Sequence, residues 1–401
     1  MKEIVITEAL RTPIGTLGGS LKDVLVDELS RAVVKGLIER SQLNPISVNQ
    51  MIWGHAKQCS DTPNLARLVC LQAGLPVETS AYTVQRQCGS GMQAVINAFQ
   101  ELQFEDGIIV AGGAESMSTA PYYIRQARYG YGAGNGLLLD PNTESQPRSQ
   151  PSQVYGELTM GMTAENLAER YGISREEQDK FSLNSQSKAL EAIKLGYFRD
   201  EIVPVIVKKK KDSFSFDTDE FPRVTSLQQL SALKPVFKVN GTVTAGSSSG
   251  RNDGAAGMLV MTKDKANQLG MKPMVRIVSY GVSGVSPEMM GIGPVLASKI
   301  ALQRAGLSIS DIGLIELNEA FAAQSLAVLE ELKVDPAIVN VHGGAIALGH
   351  PIGCSGARVI VTLLHAMKLR DVQYGLATLC IAGGMGIAMV VENLNRTVEV
   401  R

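Results

Sequence analysis

This sequence predicts an α/β architecture made of two similar halves with an insertion between them. Three observations carry that expectation: an ordered internal repeat, alternation of short apolar runs with amphipathic helical runs, and a central stretch of different texture. The repeat has three matched pieces. Leu43-Asn44-Pro45-Ile46-Ser47 leading into Met51-Ile52-Trp53 resembles Leu307-Ser308-Ile309-Ser310 leading into Leu314-Ile315-Glu316, each read as helix, turn and strand. Cys88-Gly89-Ser90-Gly91 opening a helix resembles Cys354-Ser355-Gly356-Ala357 opening another over 358–367, and Val110-Ala111-Gly112-Gly113 resembles Ile381-Ala382-Gly383-Gly384. Chance supplies one such match, whereas an ordered set points to duplication.

The elements follow in chain order. Leu25, Leu29, Val33 and Leu37 recur every four residues, widened by Val34 and Ile38, which predicts a helix over 25–38 whose stripe is core. The alternating run 79–84 reads as a strand, 92–99 as a helix, and 108–110 and 314–317 as further strands. From about 119 to 248 the texture changes. Residues 122–153 are rich in Gly, Pro, Asn and Ser; helical segments follow, one opened by the capping-box pattern Ser174-x-x-Glu177. After the charged run 208–212 comes a Ser/Thr/Gly stretch at 241–250. This insertion is expected to form a lid over the site. The implied division is 1–118 with 249–270, an inserted loop domain over 119–248, and 271–401.

Composition narrows the function. The 38 basic and 39 acidic residues cancel, so there is no electrostatic footprint for nucleic acid or an anionic membrane. The uncharged stretch 372–391 has the length of a membrane span, but its four glycines and Val390-Val391 fit two buried strands joined by a turn. Five cysteines form an odd set, Met1-Lys2-Glu3-Ile4 carries no apolar signal region, and Val398-Glu399-Val400-Arg401 carries no peroxisomal address. A reducing cytoplasm is the expected compartment.

The chemistry centres on two thiols and a histidine. Cys88 stands between the predicted strand and a helix N-terminus, where the macrodipole and free N–H groups favour a thiolate. Cys380 is delivered by the apolar run 376–379 to the glycine-rich turn Gly383-Gly384-Met385-Gly386, and His350 sits in Gly349-His350-Pro351. The pattern reads as a two-thiol enzyme of carbon–carbon bond chemistry. Taken alone, either cysteine is as readily a small buried hydrophobe, and for Cys59, Cys70 and Cys354 that is the preferred reading. His342, His365 and Glu319 read as structural, and Lys208 to Lys211 as a solvated turn. A metal site from Cys88, His350, Cys354 and Cys380 fails on spacing: no Cys-x-x-Cys seeds it, and Pro351 and Gly353 break His350-x-x-x-Cys354.

Over nearly its whole length the chain resembles the thiolase family. The resemblance rests on Gln87-Cys88-Gly89-Ser90-Gly91, Gly241-Thr242-Val243-Thr244-Ala245-Gly246, Asn318-Glu319-Ala320-Phe321, the run from Gly343 to Pro351 and Cys380-x-x-Gly383-Gly384, in the family's order and spacing. It implies a five-layered α/β/α/β/α fold from two duplicated halves with an inserted loop domain that holds coenzyme A. It also implies acyl-CoA substrates, no permanently bound cofactor or metal, and a homodimer or homotetramer. The implied reaction is reversible Claisen condensation and cleavage: two acetyl-CoA to acetoacetyl-CoA, or thiolysis of a 3-ketoacyl-CoA.

In the implied roles Cys88 takes the acyl group. An unperturbed thiol near pKa ~8.5 is only a few per cent ionised at neutral pH, so a base is needed, and His350 is the candidate. Cys380 moves the α-carbon proton. Asn318 with His350 stabilises the enolate oxygen, and the Cys88 N–H contributes to a second oxyanion site. Met160, Met290 and Phe321 are candidates to line the acyl pocket; Arg223, Ala245 and Ser249 are candidates to meet coenzyme A. Two other readings stand beside this one: a decarboxylating ketoacyl synthase of similar fold, which lacks the second thiol, and a non-catalytic acyl-CoA or lipid carrier, in which a reactive residue should be missing. Three departures from the family pattern are Thr159 where His is frequent, Ala382 where Gly is usual after Cys-Ile, and Ser247 where Asn follows Thr-Ala-Gly.

Overall fold

The computed structural model describes residues 1–210 and 212–396. Lys211 and Thr397–Arg401 lie outside that range, and with them the C-terminal residues read for a peroxisomal address. The first half runs β1 (Ile4–Arg11), α1 (Val26–Ser41), β2 (Gln50–Gly54), α2 (Leu65–Gln72), β3 (Ser80–Val84), α3 (Ser90–Glu101) and β4 (Ile108–Ser116). After the insertion, which carries α4 (Met160–Tyr171) and α5 (Arg175–Leu195), the chain returns as β5 (Asn252–Thr262). The second half is β6 (Val275–Gly284), α6 (Gly293–Ala305), β7 (Leu314–Leu317), α7 (Ala322–Leu332), α8 (Ile352–Arg370), β8 (Tyr374–Ile381) and β9 (Met385–Asn393).

Strand pairing makes the duplication explicit. In the first half the order is β3-β2-β4-β5-β1, with β2 parallel to β3 and β4 and the remaining neighbours antiparallel. In the second it is β7-β8-β9-β6, with β7 parallel to β8, while Val339 forms a parallel bridge to Ile315 where the first half has β3. Among the described residues, two residue pairs, Val5 with Arg276 and Ile6 with Val275, join the half-sheets.

Side-chain alternation then dictates the layers. Met51 and Trp53 of β2 pack outward with α1 and α2, while Ile52 faces the middle of the molecule with α3 and α8. In the second half Ile315 and Leu317 pack outward with α6 and α7, and Leu314 faces the middle. The result is five layers: α1/α2, sheet, α3/α8, sheet, α6/α7. Each large apolar side chain so buried contributes roughly 1.5–3 kcal/mol.

The middle layer is tight because glycines let its two helices touch backbone to backbone. A Cβ on Gly356 would lie 2.5 Å from the Met92 nitrogen, and one on Gly91 would lie 2.7 Å from that of Ala357. Helix α8 is long and apolar enough to cross a membrane, but 83% of its most apolar window is buried inside the fold, as in a core helix. The uncharged stretch 372–391 forms the β8–β9 hairpin.

The register corrects two of the repeat's matches. Met51 pairs with Val110 and Ile315 pairs with Leu376, all four in outer clusters. Met51 therefore corresponds to Ile315 rather than Leu314, and Val110 to Leu376 rather than Ile381. Val110-Ala111-Gly112-Gly113 is strand interior, whereas Ile381-Ala382-Gly383-Gly384 is a strand end and turn. Glycines serve close approach at the first place and turning at the second, so similar residues arose from different demands.

The insertion is bound through buried charge. Arg11, fully buried, donates to Glu201 and in bidentate fashion to Asp219, with its guanidinium over the Phe198 ring. The Ser174–Glu177 capping box opens α5 as its pattern predicts. Glu165 of α4 accepts the N–H groups of Thr242 and Val243, fixing the start of the 241–250 stretch.

Candidate active site

The ends of β8 and β4, the turn before α3, the loop before α8 and the insertion enclose a cavity of about 200 Å³. Cys88, His350, Cys380, Ser249, Met160, Met290 and Phe321 all line it. Met290, Phe321 and Cys380 belong to one apolar cluster, against which Met160 packs. Residues of the insertion, among them Asn142, Ser145 and Gly161, form a wall of the cavity, as expected of the lid.

Cys88 is placed by a strained turn. Gln87 before it has φ of 46°, a left-handed conformation uncommon for a side-chain-bearing residue. Ser90 staples the turn, since its Oγ accepts from the Arg86 N–H at 2.8 Å and donates to the Gln87 carbonyl at 2.7 Å. The helix-end pull toward a thiolate meets an opposing effect. Burial pushes the thiol up, outweighing the Ala382 N–H, the Lys57 charge and the residue's own N–H, which all favour the anion. The helix end alone does not offset desolvation in this apolar wall.

His350 follows Gly349, whose φ of 102° and close approach to Asn252 require glycine. Its backbone N–H donates to Asn252 Oδ1 at 2.9 Å. Nδ1 lies 2.6 Å from Ser355 Oγ, whose single proton is directed to the Pro351 carbonyl at 2.9 Å. Ser355 therefore accepts from Nδ1–H, which leaves Nε2 as the nitrogen free to take a proton. Burial, reinforced by Arg358, pushes the imidazole down to about 4, so it is neutral at physiological pH. Cys380, next to last in β8, is held far above the ordinary thiol range by burial and by the neighbouring Cys88.

Asn318 follows β7, fully buried, and its side-chain amide makes no hydrogen bond within the protein. Leaving such a group unpaired costs ~1–3 kcal/mol; Asn318 itself stands off the cavity wall, which its neighbours Ala320 and Phe321 line. Arg223 and Ala245 are exposed and lie outside the cavity wall, Arg223 stacked on Phe221.

The departures from pattern have local explanations. Thr159 caps α4, its Oγ1 accepting from the Met162 N–H. Ala382 avoids positive φ, which falls on Gly383 and Gly384, so alanine is unstrained there. Ser247 Oγ accepts from the Thr244 N–H at 2.9 Å and holds the turn that leads to Ser249.

Of the residues read as structural, Glu319 accepts from Ser185, Asn340 and the Ile346 N–H, His365 is bonded to the Ala9 carbonyl, and His342 packs tilted against Tyr197 and edge-on to Phe198. Cys70 and Cys354 are buried as expected, but Cys59 is half-exposed, because its loop follows β2 at the surface. Sequence reasoning missed Lys57, Glu115, Asn252 and Ser355. Ser355 lies one helical turn after Pro351 and was legible; Lys57 and Glu115 carried no local signal.

Known proteins match this arrangement. Residues 4–264 match the model of the thiolase N-terminal domain and 271–393 that of the thiolase C-terminal domain. An acetyl-CoA acetyltransferase of Syntrophomonas wolfei is 48% identical over 98% of this chain and 100% of its own length, and one from Escherichia coli is 49% identical over the same shares. The crystal structure of the Bacillus anthracis acetyl-CoA acetyltransferase superposes with a TM-score of 0.95 at 45% identity, covering 98% of this chain and 99% of that one. Human mitochondrial 3-ketoacyl-CoA thiolase in complex with CoA gives 0.93 at 42%, covering 98% of each. With both domain models matched end to end and the full fold shared, the chain belongs to the thiolase family, whose members transfer acyl groups to and from coenzyme A.

Proposed function

We propose that this thiolase works through an acyl-enzyme on Cys88, with His350 as its base, Cys380 as the carbon acid and base, and Asn318 as an enolate donor. The observation that carries the reading is that one small cavity collects both thiols and an imidazole whose Nε2 is free. Neutral Cys88 gives its proton to Nε2 as the sulfur attacks the acyl carbon, and the imidazolium then donates to the developing oxygen. In cleavage, the departing acetyl-CoA carbanion needs a proton, and Cys380, kept as a thiol by burial, has one to give. In synthesis the coenzyme A thiolate that leaves the first acetyl-CoA takes the Cys380 proton, the Cys380 thiolate so formed removes the α-proton of the second acetyl-CoA, and the orphan amide of Asn318 with His350 supports the enolate.

The small volume walled by Met160, Met290 and Phe321 favours short acyl groups, so acetoacetyl-CoA formation and thiolysis is the preferred substrate pair. Ser249 meets the pantetheine arm at the cavity wall, and the exposed Ala245 and Arg223 lie toward the nucleotide end. We take 1–118 with 249–270, 119–248 and 271–401 as the three structural parts; reducing cytoplasm suits the free thiols. A homodimer or homotetramer is supported by the unpaired edge of β3 and by exposed Tyr122, Tyr123, Ile124, Leu137 and Leu138. Light scattering should give two or four times the 42.8 kDa chain mass.

The deciding assay is thiolysis across 3-ketoacyl-CoA lengths beside acetyl-CoA condensation, with the acetylated peptide mapped. Acetyl on Cys88 and highest turnover with the four-carbon substrate are expected. Inactivity at every length in both directions would return the chain to the carrier reading.

A further inference from the structure

A buried lysine stands behind the nucleophile with no part in the mechanism above. Lys57, in the loop after β2, is 7% exposed. Its ammonium donates to the Pro141 carbonyl at 3.1 Å and to the hydroxyl of Ser145, a residue that also lines the Cys88 cavity. Behind it lies Glu115, fully buried at the end of β4. Glu115 accepts the N–H groups of Ala56, Lys57 and Gly353, and pairs with His55 Nε2 at 3.1 Å. One carboxylate thus fastens the Lys57 loop to the first turn of α8, three residues beyond His350.

Burying an ammonium is costly unless its charge is used or balanced. A purely structural strut to a carbonyl and a hydroxyl needs only a neutral donor. The charged and titratable groups around this centre are Lys57, Glu115, His55, Asp140, Arg251, His350 and Cys380. Of these, Lys57 is the buried cation whose ammonium holds Ser145 on the wall of the Cys88 cavity, and Glu115 is the buried anion that binds the Lys57 backbone N–H.

We infer that Lys57 is a positioning charge for acyl transfer: its ammonium holds the Pro141–Ser145 wall and favours the anionic form of Cys88, with Glu115 as its counter-ion. This rests on Cys88 being the nucleophile. When the sulfur gives its proton to His350 Nε2, the thiolate forms in a cavity whose Ser145 wall is backed by a fixed cation, so less of the cost falls on the weakly basic imidazole. A nearby positive charge favours the anionic form of an acid.

The test uses the intact enzyme and Lys57→Gln, which keeps an amide donor for Pro141 and Ser145 and removes the charge. Iodoacetamide labelling of Cys88, followed by peptide mass mapping across pH, should slow about tenfold at neutral pH, its midpoint moving up by about one unit. Ser145→Ala, which keeps the charge, should leave the midpoint in place. In the wild-type enzyme, anionic iodoacetate should label Cys88 faster relative to iodoacetamide than it labels a small thiol in solution, a comparison that needs no variant to fold. An unmoved midpoint in Lys57→Gln, an equal shift in Ser145→Ala, or no preference for iodoacetate overturns the inference. Wild-type acetylation from acetyl-CoA is scored separately: acetyl found away from Cys88 sinks the nucleophile assignment instead.

Discussion

At the residue scale the site is two thiols and an imidazole whose surroundings disfavour charge: burial pushes the thiols up and the imidazole down. His350 is the sharpest test. His350→Ala should keep the fold by circular dichroism and lose ~10²–10³ in acyl transfer, because it removes both a base and a donor. Near-wild-type turnover would remove His350 from the mechanism. The pH profile follows from the direction of its shift: the base is neutral above about 4 and protonated below it, so the acid limb of acyl transfer should fall near pH 4 rather than near the ordinary 6.5. An acid limb centred at 6.5 would contradict the buried, Ser355-bonded geometry. Cys380→Ala should separate the half-reactions. It should still acetylate on Cys88 yet lose both condensation and deuterium exchange into the acetyl methyl group, read by mass and in D₂O; wild-type exchange would assign the carbon base elsewhere.

At the scale of elements the crossing of α3 and α8 is the fulcrum, since α3 follows directly on Cys88 and α8 carries Ser355. Gly356→Ala would drive a Cβ to 2.5 Å from the backbone nitrogen of Met92, an atom that cannot step aside. Destabilisation of ~1–3 kcal/mol is expected, with loss of activity as the Cys88 turn shifts. Urea titration beside turnover checks it, and an unchanged midpoint would show that the crossing has slack. Much at this scale was legible in advance. The stripe Leu29, Val33 and Leu37 of α1, the capping box of α5 and the β8–β9 hairpin all follow from local pattern, whereas Leu25, read into that stripe, sits at the helix cap and is exposed. Pairing register was not legible, because glycine-rich peptides look alike whether the glycines line a strand or turn it, which is how Val110 came to be matched with Ile381.

For the whole molecule, the insertion is anchored by charge as well as by apolar contact. Arg11→Met should cost ~3–5 kcal/mol, since Glu201 and Asp219 would be left buried without their cation. The denaturation midpoint should fall, and limited proteolysis should open the 199–222 region first. A variant as stable as wild type would mean that these carboxylates find other partners.

The sequence by itself determined the family and the duplication, and it marked out the insertion and the trio proposed to react, because each is written in short contiguous motifs whose residue types the chemistry demands. Only tertiary structure shows how burial opposes charge at the site. Helix-end logic is local and favours a thiolate at Cys88, but desolvation depends on what closes over the sulfur from β8 and the insertion, segments far away in the chain. The same holds for Lys57 and Glu115. Each is an ordinary charged residue in its own neighbourhood and acquires meaning only when folding places both behind Cys88.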